Sequence, residues 1–179
     1  VSLPEGLTYL NGYEFYGRNI HLKELTIPAS VVKMDGFGVY YYTELERLEY
    51  LGHSMETTSS HEYSSARYIK MPGEYFNIWD IIVDSEEPWK KLDTIIVTNG
   101  EMHVYPNEYY NYYYDLGIVN MPRYVDLANA SNTTLENLHY IFTKQLRTLY
   151  LPSHLEIVSE EALKGCQYLS SVVIPASVV

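Results

Sequence analysis

The sequence predicts an α/β solenoid in which short parallel strands line the concave face and mostly irregular or single-turn helical segments form the convex side. Three observations carry this expectation: one apolar motif recurs along the whole chain, its copies are nearly evenly spaced, and most copies end on Pro.

The motif is an apolar residue, two others, an apolar residue, one other, an apolar residue and often Pro. It reads Leu22-x-x-Leu25-x-Ile27-Pro28, Leu45-x-x-Leu48-x-Tyr50, Ala66-x-x-Ile69-x-Met71-Pro72 and Leu92-x-x-Ile95-x-Val97. It continues as Leu116-x-x-Val119-x-Met121-Pro122, Leu146-x-x-Leu149-x-Leu151-Pro152 and Leu169-x-x-Val172-x-Ile174-Pro175, with Val1-x-Leu3-Pro4 as the tail of an eighth copy. Leading positions are 23, 21, 26, 24, 30 and 23 residues apart, against the roughly 20 to 29 of a leucine-rich repeat. The alternation of Leu25 and Ile27 with Glu24 and Thr26 is strand periodicity, and Pro, which donates no ladder bond, ends each strand.

A second apolar cluster follows each strand and is expected to close the core from the return half of the coil: Leu7, Tyr9 and Leu10; Val31 and Met34; Tyr75 and Ile78; Val125, Leu127 and Ala128; Leu155, Ile157 and Val158. Ser159, Glu160-Glu161, Lys164 and Gly165 carry the signals of a one-turn helix: a capping serine, acids in the first turn, a base in the last and glycine beyond.

The unit Leu155-x-x-Val158-x-x-x-Ala162-Leu163-x-Gly165-Cys166-x-x-Leu169-x-x-Val172-x-Ile174-Pro175-x-Ser177-Val178 resembles the BspA-like leucine-rich repeat of bacterial surface proteins. The match is specific there and in residues 22 to 51, and looser elsewhere. The resemblance implies a non-catalytic, surface-exposed or secreted solenoid used in adhesion or protein binding, with no catalytic residues to transfer. Residues 1–179 are expected to form one such domain within a longer chain.

Two stretches depart from the pattern. Residues 52–65 are polar and lack Pro, which predicts a loose, degenerate return half. The sequence around Asn129-Ala130-Ser131-Asn132-Thr133-Thr134 is extra within the longest unit and predicts a loop or bulge, while Leu135-x-x-Leu138-x-Tyr140 mimics a miniature rung.

Composition narrows the function. With 12 Lys and Arg against 23 Asp and Glu, the net charge of −11 repels phosphate backbones, so a nucleic-acid partner is not expected. No segment has the apolar length to span a bilayer. Cys166 is the one cysteine and stands at an inward repeat position, which favours packing over a nucleophilic role.

The six histidines, at 21, 53, 61, 103, 139 and 154, show no metal-binding spacing, and Gly36-Phe37-Gly38 lacks the context of a phosphate cradle. The acidic pairs Glu86-Glu87 and Glu160-Glu161 are adjacent in sequence and so do not converge on one point. No cofactor, metal or catalytic site is expected. Asn132-Thr133-Thr134 has the form of a glycosylation acceptor and marks an exposed loop in this reading. The tyrosine runs 40–42 and 109–114 admit two readings, an aromatic contact patch or filler of the convex side.

The binding surface is sought on the outward strand residues. They form two columns: Glu24, Arg47, Tyr68, Thr94, Ile118, Thr148, Ser171, and Thr26, Glu49, Lys70, Ile96, Asn120, Tyr150, Val173. Glu24 is expected beside Arg47, and Glu49 beside Lys70. The middle of the face, Tyr68, Lys70, Ile96, Ile118, Asn120 and Tyr150, mixes aromatic, apolar and polar groups as recognition surfaces do. A protein ligand is the expected partner, with a glycan held by the tyrosines, or a spacer with no ligand, as alternatives.

Overall fold

The computed structural model describes residues 2–11, 21–35, 44–53, 56–57, 66–75, 93–102, 122–135, 144–158 and 162–179. It is a parallel-strand β-solenoid with almost no helix among the described residues. One sheet holds seven strands: β2 (Glu24–Ile27), β4 (Arg47–Tyr50), β6 (Tyr68–Met71), β7 (Thr94–Val97), β8 (Tyr124–Asp126), β9 (Thr148–Tyr150) and β10 (Ser171–Val173). Each pairs in parallel with the next, so every turn of the coil adds one rung. Ser2 bridges in parallel to Thr26, which places the partial first copy beside β2.

Burial follows the motif. The middle inward residue of the rungs β2 to β9 is Leu25, Leu48, Ile69, Ile95, Val125 or Leu149, and none is more than 1% exposed. Full burial of such a side chain contributes about 1.5 to 3 kcal/mol. At β10 the equivalent Val172 is 38% exposed and Ile174 is 59% exposed. Tyr50 stands where other rungs have an aliphatic third residue. Its ring is buried and its hydroxyl donates to the Val31 carbonyl at 2.9 Å, so the polar atom is satisfied inside the core.

The fifth rung corrects the sequence reading. Residues 116–121, expected to form it, lie outside the described residues, and the strand between β7 and β9 is Tyr124–Asp126. The inward residues of this rung are Pro122, Val125 and Leu127, all buried, so Val125 lies in the strand and Leu127 directly after it, not in the return half. Between middle residues, the step Ile95 to Val125 is then 30 residues and Val125 to Leu149 is 24, which moves the long unit one place earlier. Asn129–Thr134 is accordingly not an insertion. Ala130 and Asn132 are buried, Ser131 N–H donates to the Gly100 carbonyl at 2.9 Å, and Thr134 bridges in parallel to Ile157.

The return side is also more regular than expected. A second parallel sheet, β1 (Tyr9–Asn11), β3 (Lys33–Asp35) and β5 (Glu56–Thr57), runs opposite the first three rungs. Glu56 and Thr57 thus give part of the supposedly degenerate unit a regular place, with Gly52 buried before them; most of residues 54–65 lies outside the described residues. Tyr9 is exposed, at 45%, because strand alternation turns it away when Leu10 turns in, and Ile157, at the bridge to Thr134, is exposed at 59%. Ala162–Gly165 is a turn, closed by Cys166 N–H to the Leu163 carbonyl at 3.0 Å, where a helix was expected. The described 3₁₀ segment is Gly73–Tyr75.

Rungs are joined at one margin by a repeated backbone device. The carbonyl of the residue preceding each strand accepts two N–H groups from the next rung. Lys23 O takes Glu46 N and Arg47 N at 2.7 and 3.0 Å, and Arg67 O takes Asp93 N and Thr94 N at 2.8 and 3.0 Å. Glu46, Asp93, Arg123 and Arg147 carbonyls do the same for the rungs that follow them.

Candidate functional site

Because strand residues alternate in facing, the seven rungs present a grid of outward side chains, with neighbouring rungs about 4.8 Å apart. The observed register gives a first column of Glu24, Arg47, Tyr68, Thr94, Tyr124, Thr148 and Ser171. The second is Thr26, Glu49, Lys70, Ile96, Asp126, Tyr150 and Val173. A third row, at the margin formed by the strands' N-terminal ends, consists of Lys23, Glu46, Arg67, Asp93, Arg123, Arg147 and Ser170.

Two side-chain clusters stand on the grid. In the first, Arg47 donates to a Glu49 carboxylate oxygen at 2.6 Å and lays its guanidinium over the Tyr68 ring, 3.7 Å from the centroid. Burial pushes the Tyr68 hydroxyl above its ordinary pKa; Arg47 opposes that shift and Glu49 adds to it. In the second, the rings of Tyr124 and Tyr150 lie with centroids 5.8 Å apart and planes at 48°. Burial again raises the Tyr124 hydroxyl, followed by the nearby Asp126 carboxylate and by Tyr150. The Asp126 carboxylate also accepts from Ala128 N–H at 3.0 Å, which fixes it at the end of β8.

Of the residues expected to form the binding surface, Tyr68, Lys70, Ile96 and Tyr150 share this face and are all half-buried. Ile118 and Asn120 lie outside the described residues, and their places in the columns are held by Tyr124 and Asp126. The register sets Glu24 opposite Arg47 and Glu49 opposite Lys70, as expected. Tyr124 was legible by another route: Pro122-Arg123-Tyr124-Val125-Asp126-Leu127 parallels Ala66-Arg67-Tyr68-Ile69-Lys70-Met71 position by position.

Other residues singled out by type resolve differently. Asn132 is 7% exposed, and its amide exchanges two bonds with Met102, accepting from the backbone N–H and donating to the carbonyl, both at 3.0 Å. It is therefore a buried structural group and not an exposed loop acceptor. Cys166 is partly buried, and burial raises its thiol above the ordinary value, away from nucleophilic character. His21 pairs with Glu44 at 3.0 Å on the surface, and among the described residues no group of three His, Cys, Asp or Glu could hold a metal ion. No described helix is long and apolar enough to cross a membrane. Both tyrosine runs, 40–42 and 109–114, lie outside the described residues.

A repeated strand motif, a stacked parallel ladder and an open outward grid define a leucine-rich-repeat solenoid. The family model described as the BspA type leucine rich repeat region matches residues 1–80 and 120–179 in six copies, and the chain belongs to that family. The unmatched stretch falls within the 30-residue step between Ile95 and Val125 and the unit before it. Neither the comparison with curated proteins nor that with solved structures returns a match. Membership points to a repeat scaffold for protein interaction or surface adhesion, of a kind typically non-catalytic.

Proposed function

We propose that this chain is a non-catalytic recognition or adhesion module of a bacterial surface or secreted protein, and that it binds a protein ligand across the rungs β4 to β9. One observation carries the reading: Tyr68, Tyr124 and Tyr150, with Ile96 among them, form a half-exposed aromatic and apolar centre on a face otherwise built, Val173 apart, of charged and hydroxyl side chains. Rigid aromatic groups at the centre of a polar rim are what protein interfaces use as anchors. The ladder holds them at fixed spacing over about 14 Å, three rung steps, so little ordering is left to be done on binding. Placement at the cell surface or outside the cell, common in the family, is part of the proposal.

The protein reading is favoured over a glycan reading by the state of the rings. Arg47 covers the Tyr68 face, and Tyr124 and Tyr150 are tilted against each other, so flat open platforms for sugar stacking are few. A spacer would need no aromatic centre. The test replaces Tyr68, Ile96 and Tyr150 together by Ser, screens the wild-type chain against an array of extracellular proteins, and compares affinities for the strongest hit. Loss of affinity by about 100-fold with an unchanged circular-dichroism spectrum is expected; unchanged affinity moves the site off this face.

A further inference from the structure

Charge is unevenly distributed between this face and the rest of the chain. The three rows hold six of the twelve Lys and Arg residues, namely Lys23, Arg47, Arg67, Lys70, Arg123 and Arg147, but only five of the 23 acids. The remainder of the chain carries six basic residues against eighteen acidic ones. A strongly acidic protein thus turns a slightly basic face outward.

The basic character concentrates at one step. Arg123 and Arg147 occupy consecutive rungs, and Arg147 N–H donates to the Arg123 carbonyl at 2.8 Å. Like charges on adjacent strands destabilise a sheet, and both side chains are exposed, so the core requires neither. Arg123 lies 3.7 Å from an Asp93 carboxylate oxygen. Arg147 is 5.9 Å from the Tyr168 ring centroid, at the outer reach of a cation-π contact, and among the described residues no carboxylate pairs with it. Two exposed arginines on consecutive rungs, the same rungs that carry Tyr124 and Tyr150, have the chemistry of a seat for an anionic group.

We infer that the ligand's contact surface is an acidic protein segment, with its carboxylates taken by the exposed Arg123 and Arg147 guanidinium groups of consecutive rungs and a neighbouring apolar side chain against Tyr124 and Tyr150. This deepens the proposal that the sheet face is the binding surface and rests on it. The arginine forks match carboxylate geometry, and the acidic remainder of the chain repels such a segment everywhere else, so approach is steered to this margin.

The probe is a fluorescein-labelled peptide of alternating Asp and Leu, followed by fluorescence anisotropy at low ionic strength, with a single-stranded oligonucleotide as the competing anion. Wild-type chain should bind the peptide, less tightly as salt is raised. Arg123→Gln and Arg147→Gln should each weaken it about fivefold to tenfold, while Lys164→Gln, on the turn before Cys166, changes it less than about twofold. Arg147→Gln should leave the melting temperature unchanged or raised. Absence of peptide binding, equal loss in Lys164→Gln, tighter binding of the oligonucleotide, or a fall in melting temperature in Arg147→Gln would each overturn the inference. If the peptide fails while the Tyr68, Ile96 and Tyr150 variant still loses the array ligand, the acidic partner is wrong and the face stands. If that variant keeps the array ligand, the face itself is wrong.

Discussion

On the return side of the coil, β1, β3 and β5 pair through backbone groups, whereas around residues 98–102 and 130–135 the corresponding bonds run partly through side chains. Asn132 takes both polar groups of Met102, and Asn99 reaches the Gly52 carbonyl at 3.4 Å. Both arrangements satisfy polar backbone near the core, as burial requires. They differ in what they demand of the sequence. A backbone ladder accepts any side chain that alternates correctly, so Lys33 and Glu56 can pair as well as Leu10 and Met34. An amide that imitates a strand is specific to one residue type, since only Asn and the longer Gln present a carbonyl acceptor and an N–H donor side by side as the backbone does.

The contrast predicts unequal sensitivity to substitution. Asn132→Ala should have the largest effect, because it strands a buried N–H and a buried carbonyl at Met102. A loss of about 2 to 5 kcal/mol in urea unfolding is expected, and a loss below about 1 kcal/mol would mean that water replaces the amide. Gly73→Ala comes next. A Cβ there would stand 2.6 Å from the Glu101 carbonyl carbon, while Gly73 N–H is held by the Asn99 carbonyl at 2.8 Å, so the two turns must part. About 1 to 3 kcal/mol of destabilisation should follow, and an unchanged melting temperature would show that the turns separate freely. Lys33→Thr, on the backbone-paired side, should stay within about 0.5 kcal/mol of wild type.

A smaller effect is expected at alkaline pH. The Tyr68 and Tyr124 hydroxyls are raised above the ordinary value of 10.0, first by burial. The folded state therefore holds these protons more tightly than the unfolded chain does. Stability is complete below about pH 10 and declines as pH rises from there through the raised folded-state values. Tyr124→Phe should flatten that decline, measured by thermal melts across the alkaline range. An equal slope in the variant would assign the loss to other groups.

Most rungs were legible because period-two alternation and the spacing of Leu25, Leu48, Ile69, Ile95, Leu149 and Val172 are properties of the chain alone. The fifth rung was not, for a local reason. Met121-Pro122 copies the strand ending of Ile27-Pro28 and Met71-Pro72, and Pro122 fills the leading position that Leu or Ala fills in most other units. Moving this rung from Val119 to Val125 costs nothing in spacing, because steps of 24 and 30 simply change places. On the candidate face, Tyr68, Lys70, Ile96 and Tyr150 follow from alternation, whereas Tyr124 and Asp126 depend on that register. The stacking of Arg47 on Tyr68 and the burial of Asn132 join residues that are neighbours only across turns, so no local pattern announces them.

The paired donors at the strand margin have a consequence for how such a chain can change over generations. At this margin, beside the strand ladder, each turn is fastened to the next by one main-chain oxygen and two successive amides, groups that every non-proline residue owns. A turn can therefore lengthen from 21 residues, as between Leu48 and Ile69, to 30, as between Ile95 and Val125, without altering its fastening. Duplication or exchange of whole turns by recombination would meet a matching clasp on either side, leaving the outward side chains as the part on which selection for a new partner can act.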